Sequence, residues 1–187
     1  MHAVPVLDDF DQVLARARTG SAEAFATLYE DLVRPVAAYL RARGVRDVED
    51  LTSEVFLAVF TGLGRFAGGQ EQFRSWVFTI AHRRVVDHWR SGSRTVPQAP
   101  YEPDEDDRTV ESAENQALSA LGEEQALALL ALLTDDQREV LVLRIVADLT
   151  VEQVGEVVGK RPGAVKALQH RGLATLRRIL ESEAVTL

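Results

Sequence analysis

No cysteine occurs among the 187 residues, which excludes a disulfide framework and thiolate-held zinc and is compatible with a reducing compartment. Lysine is almost missing too: Lys160 and Lys166 are the only two among 21 basic residues, so arginine carries nearly all the positive charge. Aromatic residues are sparse, at 6%. No apolar run is long enough to span a bilayer, and the N-terminal MHAVPVLDDFDQ lacks the basic start and apolar stretch of a secretion signal. Neither membrane insertion nor export is therefore expected, and a cytoplasmic location follows. Strand signals are also wanting, because the apolar residues recur at three and four with no alternating run between turn residues. Enzyme signatures fare no better. There is no phosphate-binding glycine loop, no HExxH and no nucleophile elbow. His82 and His88 stand six apart, so with Asp87 they do not stack as a metal-binding pair would. No metal, no cofactor and no small-molecule substrate is expected.

What is present is a core-forming fraction of 46% hydrophobic residues, enough for one or two small domains, and a formal charge of -8 that is unevenly spread. Residues 95–124 hold nine acids against Arg108 alone, so this stretch accounts for the whole excess. Residues 160–178 reverse the sign: Lys160, Arg161, Lys166, Arg171, Arg177 and Arg178 occur there without one acid. Plotted at 100° per residue, Val165, Leu168, Leu173, Leu176, Ile179 and Leu180 share a face with Gly172. Gly163, Lys166, Ala167, His170, Arg171 and Ala174 fall opposite. Small side chains let such a face enter a major groove while Lys and Arg reach phosphates or guanine edges. Just before it, Thr150 with Gln153 forms a capping box that opens a short helix, and Gly159 ends it. Pro162 suits the next first turn. This is the layout of a helix-turn-helix, with Gly155 and Gly172 letting helices cross closely. A solvated basic face on a bundle helix is the plainer reading of the same residues.

The whole chain reads as all-α: two small helical domains joined by a flexible acidic linker, the C-terminal one a helix-turn-helix. Residues 1–93 make the first, with helices expected over 9–18, 21–43 (with a kink or break at Pro35), 47–63 and 72–90, and a glycine-containing loop over 64–71. Residues 94–112, with Pro97, Pro100, Pro103 and the acid cluster, bury too little apolar surface to order themselves and form the linker. Residues 113–187 make the second domain, in which Thr134 and Gln137 form another capping box. It closes near Leu180, and no further sensory domain is expected.

In the first domain, the helix at 47–63 buries Val48, Leu51, Val55 and Val59 and presents Asp50, Ser53, Glu54, Phe56, Leu57 and Phe60 outward. Large apolar side chains rimmed by acids suggest a protein-binding face, unless another helix covers Phe56 and Phe60. The next helix places Phe73, Trp76, Val77 and Ile80 on a core face and Thr79, His82, Arg83, Val86 and Arg90 on another. Residues 65–94 hold six arginines against Glu71 and Asp87. Basic charge beside Phe66, Phe73 and Trp89 would suit a partly opened nucleic-acid strand; core aromatics with solvated arginines would look the same.

These segments together resemble the extracytoplasmic-function (ECF) sigma factors of bacterial RNA polymerase, over residues 21–180. DVEDLTSEVFLAVF resembles their core-binding stretch, FRSWVFTIAHRRVVDHWR their promoter-melting helix, and LLTDDQREVLVLR with LTVEQVGEVVGKRPGAVKALQHRGLATLRR their minus-thirty-five domain. The resemblance implies core RNA polymerase and promoter DNA as partners and leaves an anti-sigma factor open as a further one. It implies that Asp50, Ser53, Glu54 and Leu57 face the polymerase clamp. Residues 66–73, from Phe66 to Phe73, would capture a flipped minus-ten base, with Thr79, Arg83 and Arg90 nearby. Gly163, Lys166, Ala167, His170 and Arg171 would read the minus-thirty-five element, with Arg161 on phosphate. Arg83, Ser53, Ala164 and Ala167 depart from the family's usual residues, so no promoter sequence is carried over. A spacer of about 17 base pairs at roughly 3.4 Å each spans nearly 60 Å, so the linker would be drawn out in such a complex. A stand-alone helix-turn-helix regulator is the alternative, predicting tight binding to a duplex operator without polymerase.

Overall fold

The computed structural model describes residues 9–92 and 123–184, and every regular element among them is helical. The first unit comprises α1 (Phe10–Arg18), α2 (Ala22–Ala42), α3 (Val48–Gly62), a single 3-10 turn (Leu63–Arg65) and α4 (Gln70–Gly92). In the second are α5 (Glu123–Ala131), α6 (Asp135–Ile145), α7 (Val151–Val158) and α8 (Pro162–Ala184). The acidic linker expected over 94–112 lies outside the described residues, as does the beginning of the second domain. None of the described helices is long and apolar enough to cross a membrane.

Local chemistry sets the helix ends. Ser21 Oγ accepts from the Ala24 N–H at 3.3 Å and opens α2. Both capping boxes form: Thr134 with Gln137 at the start of α6, Thr150 with Gln153 at the start of α7. After α2 the chain turns through Gly44 at φ +76°. The Gly44 N–H donates to Arg41 O at 2.8 Å and the Val45 N–H to Leu40 O at 3.1 Å, the paired bonds of a Schellman stop. Helix α2 runs through Pro35 without a break. Helix α4 starts two residues earlier than expected, because Gln72 Oε1 reaches back to accept from the Gly69 N–H at 3.1 Å while Gly69 O takes the Phe73 N–H at 2.9 Å.

Each unit packs its apolar stripes inward: Leu28, Leu32, Val36, Tyr39, Val55, Val59, Val77 and Phe78 in the first, Leu141, Leu143, Leu149, Val154 and Val165 in the second. The buried residues of both units join in one cluster. Helix α2 lies against α5 and α6, and α4 against α7. That contact between units was not legible in periodicity. Within the second unit, α8 crosses α6 at Gly172, where an added Cβ would stand 2.9 Å from Leu141 Cδ1. Gly155 serves a different purpose from the helix crossing expected of it. Its missing Cβ makes room for the turn after α7, whose Lys160 carbonyl would lie 2.6 Å away.

Candidate nucleic-acid and partner interfaces

On α3 the register that buries Leu51, Val55 and Val59 leaves Asp50, Ser53, Glu54 and Leu57 in solvent. Leu57 is 64% exposed and Phe60 52%. Ser53 Oγ donates to its own helix at Glu49 O, 2.9 Å away, and Glu54 Oε2 stands 3.8 Å from Arg84 of α4. For Phe56 the covered alternative holds. Helix α2 crosses on that side, and Tyr29 lays its ring edge-on against Phe56 at 4.6 Å, so Phe56 is core. Phe60 meets Phe25 edge-on at 5.1 Å yet stays half open. The exposed face is thus Tyr29, Leu57 and Phe60 beside Glu49, Asp50 and Glu54. It is apolar at the centre and acidic at the rim, as partner-binding patches are.

On α4 the expected nucleic-acid residues divide. Arg83 and Arg90 are exposed, and Thr79 is half-buried with its hydroxyl donating to Ser75 O at 2.9 Å. Phe73 is not a surface residue. It lies within α4, nearly fully buried, its ring among Phe10 at 5.6 Å, Phe66 at 5.4 Å and Trp76 at 5.8 Å. An aromatic residue three positions into an amphipathic helix falls on the same stripe as Val77, and burial wins. Phe66 precedes the helix, half-buried against Trp76 at 5.0 Å, with its carbonyl accepting from Arg18. The loop before α4 is therefore shorter than the expected 64–71, since the 3-10 turn takes Leu63–Arg65 and α4 begins at Gln70. Arg74 leaves the basic surface as well: its Nε donates to Ala147 O at 2.6 Å, and its NH1 stands 3.7 Å from Asp31.

On α8, Arg161, Gly163, Lys166 and His170 are exposed, while Ala167 and Arg171 are half-buried on the same side. Arg171 Nε donates back to Ala167 O at 3.2 Å, which lays the guanidinium along the helix. Opposite them, Val165, Leu173 and Leu176 are buried. Leu180 leaves the apolar stripe and is 39% exposed, because α8 runs past the helices it packs on. Lys160 pairs with Asp136 at 3.1 Å and so ties the turn to α6 rather than joining the open basic face. Gln169 was missed. It is buried on the core side of α8 and accepts from Arg144 Nε at 3.2 Å, and Arg144 also bonds Leu149 O. Its signal was an amide inside the apolar spacing between Val165 and Leu173.

A second group that periodicity did not bring together lies where the units meet. The Glu139 carboxylate of α6 is buried and accepts from His82 Nδ1 at 2.8 Å and from the Tyr39 hydroxyl at 3.0 Å. Arg43 stands 3.5 Å away. Burial works to raise the Glu139 pKa, but the His82 bond, the Arg43 charge and the Tyr39 bond outweigh it and hold the carboxyl below its ordinary value. Tyr39 moves the other way. Burial, then the Glu139 charge, push its hydroxyl well above the usual tyrosine range, so it stays a donor. His82, placed by spacing on a basic face with Arg83, points instead into this seam.

Comparison with known proteins follows the same division. Residues 25–95 match the model of Sigma-70 region 2, and residues 129–178 that of Sigma-70 region 4. The chain is 38% identical over 181 residues to the ECF RNA polymerase sigma factor ShbA of Streptomyces griseus, covering 89% of this chain and 92% of ShbA. It is 33% identical over 175 residues to the ECF RNA polymerase sigma factor BldN of Streptomyces coelicolor, with 92% of this chain aligned but only 66% of BldN. Among solved structures, CnrH in complex with the cytosolic domain of CnrY has a similar fold. The TM-score is 0.66 at 22% identity, covering 94% of this chain and 99% of that one.

Proposed function

The chain belongs to the ECF RNA polymerase sigma factors, and from that membership we propose how its surfaces divide the work of binding core RNA polymerase and directing promoter-specific initiation. The observation that carries the proposal is that three chemically distinct faces stand open on one chain. The apolar, acid-rimmed face of α3 has no basic side chain in the helix, which suits a protein partner and repels DNA. Asp50, Ser53, Glu54 and Leu57 would make that contact with core polymerase. Arg83 and Arg90, with Thr79, Phe66 and the loop 66–69, offer cations and an aromatic wall to the minus-ten strand. Lys166, Ala167, His170 and Arg171 present the groove-reading side of α8 to the minus-thirty-five duplex, with Gly163 allowing close approach and Arg161 on phosphate. Its place of action would be the cytoplasm, with polymerase. An anti-sigma factor, of the kind named in the complex of Bartonella quintana RpoE with NepR, is a further candidate partner.

Run-off transcription with purified core polymerase tests the assignment, using paired templates that differ only in the upstream element. A base-reading side chain contributes about 1 to 3 kcal/mol of discrimination, whereas a phosphate contact supports all sequences alike and sets the salt slope. Arg171→Ala should lower transcription from the template with the upstream element and narrow its advantage. Arg161→Ala should weaken both templates more evenly, with a deficit that narrows at higher salt because the variant's salt slope is shallower. An upstream advantage untouched by Arg171→Ala would remove α8 from the role of reader. Nanomolar, sequence-specific binding without polymerase would favour the stand-alone regulator.

A further inference from the structure

Residues 66–69 separate the 3-10 turn from α4, and Ala67 and Gly68 at their tip stand in solvent. Consecutive glycines would by themselves leave so short a loop free to sample many shapes. It is nevertheless held from three sides. Toward α4, Gln72 Oε1 accepts from the Gly69 N–H at 3.1 Å, and Gly68 takes φ +148°, where a Cβ would lie 2.8 Å from Gln72 Cβ. Toward the core, the Phe66 ring lies against Trp76 at 5.0 Å and Phe73 at 5.4 Å. The third hold comes from a helix distant in sequence. Arg18, the last residue of α1, donates from Nε to Leu63 O at 3.4 Å and from Nη2 to Phe66 O.

Those two carbonyls stand where the chain leaves the 3-10 turn, and Leu63 O also takes the Phe66 N–H at 3.3 Å. A guanidinium fork reaches both at once, which a single-point ammonium does less well. Helix α1 gives the fork a firm base: Leu14 and Ala17 are buried, and Phe10 lays its ring against Phe73 at 5.6 Å. The entrance of the loop is thus tied to α1 and its exit to α4. Arg18 itself is exposed, so these bonds order the loop rather than fill the core. A loop ordered in advance spares its ligand the entropy of ordering it. We propose that Arg18 is a positioning residue for the minus-ten strand: by pinning Leu63 O and Phe66 O it shapes loop 66–69 to take up one unstacked base, without touching that base. The role rests on the assignment of this loop to the minus-ten strand.

The test measures binding of holoenzyme, reconstituted from core polymerase and the full chain, to fluorescent fork DNA. The fork carries an upstream duplex and a single-stranded minus-ten non-template strand, taken from a promoter that the parent transcribes in run-off assays. Each minus-ten base is replaced in turn by an abasic residue. Arg18→Ala should weaken binding to the intact fork by about tenfold, the scale of a lost hydrogen-bonding group that carries charge. At one position the abasic penalty seen with the parent should shrink by the same factor, a coupling that a merely structural role would not produce. Arg18→Lys keeps the charge without the fork and should fall between parent and Arg18→Ala. Circular dichroism and urea unfolding check that both variants are folded. Abasic penalties unchanged at every position in Arg18→Ala overturn the positioning role and leave the loop's assignment standing. So does full recovery in Arg18→Lys together with a salt slope lowered by about one in Arg18→Ala, the mark of a phosphate contact. A parent indifferent to every abasic replacement overturns the assignment of the loop, and the role of Arg18 with it.

Discussion

A carboxylate taken out of water at a seam is worth keeping only if donors replace the lost hydration, and Glu139 has them in His82 and Tyr39. Its folded pKa lies below the ordinary 4.5, so the folded chain binds fewer protons than the unfolded one as the solution turns acid. Stability from this group is therefore fully present above pH 4.5 and is lost as the pH falls through the lower folded value. Urea unfolding followed from pH 7 downwards should show that loss, and Glu139→Gln should flatten the curve over the same window. An unchanged acid limb in the variant would mean that other carboxylates carry it. At this scale the sequence was legible wherever one helix's own spacing decides burial, as for Leu57 out and Val55 in. It was illegible where a neighbouring helix decides. Phe56 is covered by Tyr29 of α2 and His82 is drawn to Glu139 of α6; neither partner lies on the residue's own helix.

Helix ends are the most local of structures, which is why Ser21, both threonine capping boxes and the Gly44 and Gly159 stops were readable from composition at single positions. The start of α4 was not, because Gln72 caps it by reaching backwards. Helix α7 offers a sharp test. A methyl group at residue 155 would meet the Lys160 carbonyl at 2.6 Å, and that carbonyl belongs to the turn aiming α8. Gly155→Ala should cost about 1 to 3 kcal/mol, the usual penalty of overpacking, outweighing the better helix propensity of alanine. Urea titration of the full chain would measure it, and a variant as stable as the parent would show that the turn yields freely. Helix α3 offers the opposite case. Leu57 is so exposed that truncation removes little burial, so Leu57→Ala with Glu54→Arg should leave the helical signal and unfolding midpoint within the small range of surface changes. Association with core polymerase should weaken, as a pull-down would show. Unchanged capture would move the docking face off α3.

Over the whole molecule the net charge of -8 is set against two local basic faces, and their sizes decide how the chain behaves without polymerase. Arg74 is spent on Asp31 and Ala147, Arg84 stands near Glu54, and Lys160 pairs with Asp136. What remains for phosphate is a handful of side chains per face. Each phosphate neutralised contributes a slope near -0.9 in log affinity against log salt. A face with three or four such contacts, facing a chain of opposite net sign, should bind promoter duplex no better than the roughly 10⁻⁴ to 10⁻⁶ M of non-specific complexes at physiological salt. Core polymerase would add its own contacts, and one chain engaging two sites would gain from effective concentration, which multiplies two weak affinities. Fluorescence anisotropy on a labelled promoter duplex should therefore show weak, strongly salt-dependent binding by the chain alone and a promoter-specific complex once core polymerase is added. Tight binding by the chain alone, with a steep slope, would mean that more of its basic side chains reach phosphate than the ion pairs of Arg74, Arg84 and Lys160 leave open.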